Sequence, residues 1–184
     1  GVVDAIDPGM QGRISEWRKS GLNIMKRQKN EAKPVTFLED CAVELKDLAE
    51  YTDKLTAIFD RNGVKGTWYA HASVGCLHVR PVLNMKQVGG AETMRAIAEE
   101  AFELVRFFGG SHSGEHGDGI VRSEFNDRMF GPVLPDLFRQ VKAMIAPQGM
   151  FNPRNITDAP KMDDRELFRF APGYEVEDFD SVLD

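Results

Sequence analysis

Hydrophobic residues recur with a helical period in two long stretches of the chain. In Ala91–Phe108 they form a wide apolar stripe, and Gly109-Gly110 follows as a stop signal. The same spacing runs through Leu45–Phe59, before Asn62-Gly63, and a final helix is expected near Leu134–Ile145, before Pro147 and Gly149. These patterns predict three helices that cover antiparallel strands.

Strand patterns lie between the first two of these helices and before them. Val35–Val43, Val64–His71 and Cys76–Leu83 are rich in β-branched and aromatic residues. The last two are separated only by a turn around Ser73–Gly75, which predicts a β-hairpin. A short helix, Ile14–Lys29, is predicted near the start, after an irregular beginning.

Hairpin and helices without regular alternation of strand and helix indicate an α+β fold. We expect an antiparallel β-sheet flanked by helices, with ferredoxin-like elements. A G-x-G-x-x-G sequence is not found after a suitable strand, so binding of a dinucleotide through that motif is not expected.

Composition narrows the class of protein further. The 184 residues are 42% hydrophobic and 28% charged, which fits one globular domain, and the net charge of -6 argues against nucleic acid as a partner. The apolar runs are too short to span a bilayer, and no signal peptide is visible at the start. Cys41 and Cys76 are expected to be reduced, buried thiols in a cytoplasmic protein.

The ends of the sequence suggest a piece of a longer protein. The chain begins without Met and stops within the acidic segment EVEDFDSVLD. We expect one domain over residues 1–174 and an acidic tail or linker over residues 175–184.

All four histidines fall in two short segments. His71 and His78 bracket the hairpin turn in AHASVGCLH, where residues on the two strands can lie close together. Two such imidazoles make half of a transition-metal site. The alternative is that both are ordinary polar residues near strand ends.

The second segment, SHSGEHGDG, is rich in glycine and places Glu115 beside His116. His71, His78 and Glu115 would form a His₂–carboxylate set with open positions for a substrate, while His116 handles a proton. The alternative is a solvated loop with a capping acid. His112 is expected to be a surface residue or to support the site from behind.

Arg80 lies two residues past His78 and therefore shares its face of the strand. A guanidinium there could bind an anionic substrate bidentately. A surface role as a cross-strand partner is the alternative.

Four segments together resemble a known family: YAHASVGCLHVRP, GGSHSGEHGDGIVRSEF, MFGPVL and FNPRNI. They are similar to the C-terminal, cap-like part of FAD-linked oxidases in the vanillyl-alcohol-oxidase superfamily. The nearest branch is that of D-lactate and D-2-hydroxyglutarate dehydrogenases, especially bacterial proteins that fuse the flavin module to an iron–sulfur module. The family hairpin commonly reads H-x-G-D-G-N-L-H, whereas A-S-V-G-C-L stands between the two histidines here.

The resemblance implies roles for individual residues. His71, His78 and Glu115 become ligands of a divalent metal, zinc or manganese, and His116 becomes the base that accepts the substrate's hydroxyl proton. Arg18 corresponds to an arginine that binds the substrate carboxylate. Arg80 stands where relatives often carry a smaller polar residue and could meet a second carboxylate, which slightly favours D-2-hydroxyglutarate over D-lactate.

The cofactors implied are FAD and the divalent metal. FAD would be bound mainly by an N-terminal domain outside this chain, with Asn152 of FNPRNI as a contact, and an iron–sulfur cluster would belong to the parent protein.

The function expected is that of the substrate- and metal-binding part of an FAD-dependent dehydrogenase. It would oxidise a D-2-hydroxy acid to the 2-oxo acid, and this chain alone is expected to be inactive. The partners expected are a small anionic 2-hydroxy acid and the FAD-binding domain of the same parent. The parent is expected in the cytoplasm, and its peripheral attachment to a membrane is the alternative. The rival interpretations are a structural metal-binding domain and a metallohydrolase.

Overall fold

The computed structural model describes residues 4–26, 30–171 and 173–175. In these residues the α-helices and strands follow one another in this order: α1 Pro8–Lys26, β1 Lys33–Pro34, β2 Leu38–Ala42, α2 Leu48–Arg61, β3 Gly66–His71, β4 Cys76–Leu83, α3 Gly90–Phe107, α4 Gly119–Arg122, α5 Asn126–Phe130 and α6 Val133–Ile145. Single turns of 3₁₀-helix lie at Leu45–Asp47, Ala72–Val74, Ser123–Phe125 and Arg165–Leu167. The α+β prediction is confirmed.

Strand β4 is the centre of an antiparallel sheet and pairs with each of the other strands. Strand β3 pairs with it across the hairpin, from His71 opposite Cys76 to Gly66 opposite Pro81. On its other edge β2 pairs with residues 76–79, and β1 pairs with residues 82–83. A β-bulge between Glu39 and Cys41 interrupts the ladder of β2.

Helices α2 and α3 cover one face of this sheet. Helix α3 buries Met94, Ile97, Phe102 and Val105 because its apolar residues recur every three or four positions. They meet Leu55 and Phe59 of α2 together with apolar residues of the sheet in one core. Each large apolar side chain buried in this way contributes about 1.5–3 kcal/mol.

The hairpin and the helices after it form where the sequence predicts them, but three other segments differ. Helix α1 begins at Pro8 rather than Ile14, since proline suits the first turn of a helix. The continuous strand predicted over Val35–Val43 is wrong: β1 and β2 replace it, and β2 carries the bulge. The short helices α4 and α5 follow the glycine-rich segment, where no helix is expected from the sequence.

Several predictions concern residues outside the described part of the chain. Arg27 and Lys29, at the end of the first predicted helix, lie there, and so does the acidic tail apart from Glu175.

Helix α6 has a well-defined apolar stripe, and much of it is exposed, including Val133, Val141 and Met144. Among the described residues, we find no helix with the length and apolar character needed to cross a membrane.

Candidate functional site

The hairpin brings its two histidines to one face of the sheet. His71 is paired with Cys76 and His78 with Tyr69, so the histidines are diagonal neighbours, and their ring centroids lie 5.0 Å apart. Gly75 makes the turn in the left-handed region at φ 70°, and a Cβ there would lie 1.9 Å from the Val43 carbonyl oxygen. The turn therefore requires glycine at this position.

A buried carboxylate in the bulge of β2 holds the glycine-rich loop against this face. Asp40 is fully buried at φ 70°, and its carboxylate accepts hydrogen bonds from the backbone N–H of Glu115 (2.9 Å) and of His116 (2.6 Å). Ser113 Oγ donates to it as well, at 3.1 Å. The bulge therefore fixes the backbone that carries both Glu115 and His116.

Arg122 of α4 completes this support. Its guanidinium forms a buried ion pair with Asp40 and donates to the carbonyl oxygens of Glu39, His112 and Gly117. Burial raises the pKa of Asp40, but the hydrogen bonds from His116, Arg122 and Glu115 outweigh it and hold that pKa below its ordinary value. Asp40 is therefore a carboxylate at neutral pH.

The loop places Glu115 among three imidazoles. Glu115 Oε1 lies 2.8 Å from His78 Nε2 and 3.5 Å from both His71 Nε2 and His116 Nε2. One ligand atom from each of His71, His78 and Glu115 lies within 4.8 Å of the others. The structure thus brings together the three side chains that the sequence suggests as metal ligands, with His116 beside them.

The environment of His78 fits a metal ligand. Its side chain is 1% exposed and lies between the rings of Tyr69 and His116, at centroid distances of 4.5 and 5.0 Å. Neither ring nitrogen has a hydrogen-bond partner in the described part of the chain, although Nε2 lies 2.8 Å from Glu115 Oε1. Burial lowers the pKa of His78 although Glu115 opposes this, which favours the neutral imidazole that binds metals. A polar atom left bare in this way is costly unless a ligand satisfies it.

Two further charged residues lie on the same face. Glu39 is opposite His78 on β2, and its carboxylate forms an ion pair with Arg80, which is 7% exposed. Arg80 Nε is buried and has no hydrogen-bond partner among the described residues. Glu39 also lies within 4.8 Å of ligand atoms of His78 and His116, so the site carries a second carboxylate.

The remaining sequence-predicted residues have different positions. Arg18 of α1 lies beside the site, with Nη2 3.4 Å from His71 Nδ1. Asn152 is exposed in the irregular segment after α6, where its carbonyl oxygen accepts from Lys142 Nζ at 3.3 Å. His112 is not at the surface: it is 3% exposed and packs edge-on against Phe102 and Phe125. Burial lowers the pKa of His112 to about 4.

Sequence reasoning missed Glu39, Asp40 and Arg122. One signal was present: two adjacent acids, Glu39 and Asp40, interrupt an otherwise apolar strand pattern, and buried acids are rare unless they are paired. Arg122 follows the glycine-rich loop by three residues and carried no comparable signal.

Comparison with known proteins identifies the family. The sequence profile of the family described as "FAD linked oxidases, C-terminal domain" matches residues 2–156. The chain is 35% identical over 144 residues to a D-2-hydroxyglutarate dehydrogenase of Pantoea ananatis, covering 78% of this chain. It is 33% identical over 144 residues to one of Haemophilus influenzae, again 78% of the chain, and 35% identical over 155 residues to one of Escherichia coli, 82% of the chain.

The chain spans only 14–15% of the length of these curated relatives. The matched part includes the hairpin, the glycine-rich loop and the bulged strand that together build the site. The chain therefore belongs to the family of FAD linked oxidase C-terminal domains.

Proposed function

We propose that this chain is the substrate- and metal-binding part of an FAD-dependent dehydrogenase that oxidises a D-2-hydroxy acid to the 2-oxo acid. The observation that carries the proposal is the convergence of His71, His78 and Glu115 on one point, with His116 3.5 Å from Glu115 Oε1. The names of the curated relatives support the same reaction class.

His71, His78 and Glu115 would hold the divalent cation, zinc or manganese. Two imidazoles and one carboxylate suit both ions and leave positions open for a substrate. When bound, the cation supplies polarisation of the substrate's hydroxyl group and the flavin supplies the hydride acceptor.

His116 is the proposed general base. Its side chain is 44% exposed, so a substrate can reach it, and its backbone N–H is fixed by Asp40. Its Nε2 lies beside the proposed ligands, where a bound hydroxyl group would be found. The neutral imidazole accepts the hydroxyl proton as the C2–H bond breaks.

The two arginines are the proposed anion-binding groups. Arg18 approaches from α1 next to His71 and would bind the C1 carboxylate. Arg80 lies two residues beyond His78 with a bare Nε and would bind a second carboxylate. A dicarboxylate such as D-2-hydroxyglutarate is therefore the proposed substrate in preference to D-lactate.

The other cofactors would be held largely outside these residues. Asn152 is the proposed contact to FAD from this chain. The chain has two cysteines, so an iron–sulfur cluster would be held by another part of a longer protein. The proposed location is the cytoplasm, which agrees with two free, buried thiols.

Substrate choice tests this proposal in a protein that carries both this chain and the flavin domain. We expect kcat/KM for D-2-hydroxyglutarate to exceed that for D-lactate. Arg80→Met should lower it for the dicarboxylate by about 10–100-fold, since one buried charge-assisted hydrogen bond contributes ~1.5–3 kcal/mol. Oxidation of neither acid, or an equal loss for both in Arg80→Met, would contradict the assignment.

A further inference from the structure

The imidazole of His71 lies between a guanidinium and a carboxylate. Arg18 Nη2 of helix α1 is 3.4 Å from His71 Nδ1, and Glu115 Oε1 is 3.5 Å from the other ring nitrogen, Nε2. The side chain of His71 is 42% exposed, so both contacts form at the open edge of the site, whereas His78 is buried. The two ring nitrogens of His71 therefore face partners of opposite charge.

These partners determine which nitrogen of neutral His71 carries the proton. A guanidinium has N–H donors and no acceptor, whereas a carboxylate only accepts. The contact with Arg18 is favourable only when Nδ1 accepts, which leaves the single ring proton on Nε2, facing Glu115. Both contacts thus favour the same tautomer.

The proposed metal set requires the opposite tautomer of His71. A metal ligand offers the lone pair of an unprotonated nitrogen, so Nε2, the nitrogen that faces Glu115, must lose its proton and Nδ1 must carry one. The Nδ1–H group would then meet the N–H donors of Arg18, and two donors repel each other. His71 therefore cannot bind a cation through Nε2 and accept from Arg18 at the same time.

The side chain of Arg18 is free to change partner. Residues 11–19 of α1 are all exposed, so packing does not hold the guanidinium beside His71. The contact of 3.4 Å is also long for a hydrogen bond, because N–H donors usually lie about 2.9–3.0 Å from their acceptor. Little stabilisation is therefore lost when Arg18 leaves.

We infer that cation binding at this site and the hydrogen bond of Arg18 to His71 exclude each other, so that cation binding releases Arg18 toward the substrate carboxylate. The inference rests on the metal set and on the role of Arg18 proposed above. No proton is gained or lost overall, because the proton that leaves Nε2 is replaced by one that Nδ1 takes from solvent. Binding is therefore ordered: the substrate meets a released Arg18 only after the cation is in place.

The affinity for Zn²⁺ tests this on the full chain without any activity assay. In Arg18→Met no hydrogen bond has to be broken, so the Kd for Zn²⁺ measured by calorimetry should fall by about 2–10-fold, the usual contribution of one hydrogen bond. The control is Arg13→Met, an exposed arginine of the same helix, whose Kd should change by less than about twofold. An unchanged or higher Kd in Arg18→Met would overturn the inference.

Loss of a positive charge also favours a cation, and salt separates the two effects. At about 1 M salt the Debye length is ~3 Å, so repulsion between the exposed guanidinium and the cation is largely screened. The fall in Kd should persist at this salt concentration because a hydrogen bond is a direct contact. A fall that vanishes there would show that repulsion alone is responsible and would overturn the inference.

Nitrogen NMR of the histidine rings gives a direct readout of the tautomer. The chemical shift of His71 Nδ1 should differ between wild type and Arg18→Met in the metal-free chains. It should be the same in both proteins after zinc saturation, when Nδ1 is protonated in each. A difference that persists with zinc bound would overturn the inference and leave the metal set in place, whereas an unchanged His71 ring on adding zinc would overturn both.

Discussion

At the scale of single residues, two imidazoles four positions apart have opposite environments. His112 is enclosed by Phe102 and Phe125, whereas His116 is 44% exposed beside Glu115. The first can contribute only to stability and the second can exchange protons with a bound molecule. The sequence alone ranked His116 above His112 because it adjoins an acid, but could not reveal that His112 lies in the core.

The proposed base is tested by His116→Gln, which keeps a polar side chain but cannot accept the proton. In a protein that carries the flavin domain, kcat should fall by about 10²–10⁴-fold, the usual contribution of a general base. Mn²⁺ affinity measured by calorimetry should stay within about twofold, since His116 is not among the three proposed ligands. Retention of more than a tenth of the wild-type kcat would contradict the assignment.

The buried His112 makes stability depend on pH. Because burial lowers its pKa from 6.5 to about 4, the unfolded chain binds a proton more readily than the folded chain between these values. The stabilisation is fully present above pH 6.5 and is lost as the pH falls toward about 4, by on the order of 3 kcal/mol.

Urea unfolding from about pH 4 to 7 measures this loss. In His112→Phe the slope of unfolding free energy against pH should be shallower than in the wild type, because the contribution of His112 is removed. The slope should not fall to zero, because His78 and the carboxylates still titrate. Identical slopes for the two proteins would show that the pKa of His112 does not change on folding.

At the scale of elements, the bulge of β2, the glycine-rich loop and α4 form one structural unit. Asp40 accepts two backbone N–H groups of the loop and pairs with Arg122, so it joins all three. Its positive φ belongs to the bulge, where Asp40 is left out of the regular pairing of β2 and its carboxylate faces the loop.

Asp40→Asn should therefore affect both stability and the site. Breaking a buried ion pair leaves Arg122 unpaired and costs about 3–5 kcal/mol. Loosening of Glu115 should also weaken Mn²⁺ binding by ~10–100-fold, as loss of ligand support typically does. Chemical unfolding and calorimetry measure the two effects, with Asp127→Asn, an exposed acid on α5, as control. Unchanged Mn²⁺ affinity in a folded variant would contradict the positioning role.

The hairpin turn and the end of α2 offer a matched pair of glycines. Gly75 and Gly63 have φ values of 70° and 66°, but only at Gly75 would a Cβ meet the backbone. Gly63→Ala should cost about 1–2 kcal/mol from the left-handed backbone alone, and Gly75→Ala should cost more because Val43 must also move. Equal losses in urea unfolding would show that the turn accommodates the methyl group.

These elements also show what a sequence can predict. The hairpin follows from two β-rich runs separated by a short turn, and α3 follows from its apolar period, so His71 and His78 could be placed together in advance. The bulge at Asp40 could not, because the ion pair with Arg122 joins residues 82 positions apart. Likewise, the ion pair of Arg80 with Glu39 depends on strand register, which residue periodicity does not determine.

At the scale of the whole molecule, the site joins parts of the chain that are distant in sequence. The hairpin supplies His71 and His78, the loop supplies Glu115, and β2 supplies the carboxylate that fixes the loop. A cation bound at their meeting point would tie these segments together. Because only the folded state offers the complete set, binding at 100 times Kd should stabilise the chain by about 2.7 kcal/mol.

The most direct test is elemental analysis of the purified wild-type chain beside His71→Ala and Glu115→Ala, with His112→Phe as a histidine variant outside the site. Each protein is first incubated with zinc or manganese, and the unbound metal is then removed. The proposed site predicts about one metal ion per chain in the wild type and in His112→Phe, and almost none in the other two variants. Equal metal content in all four proteins, or no metal in the wild type, would contradict it.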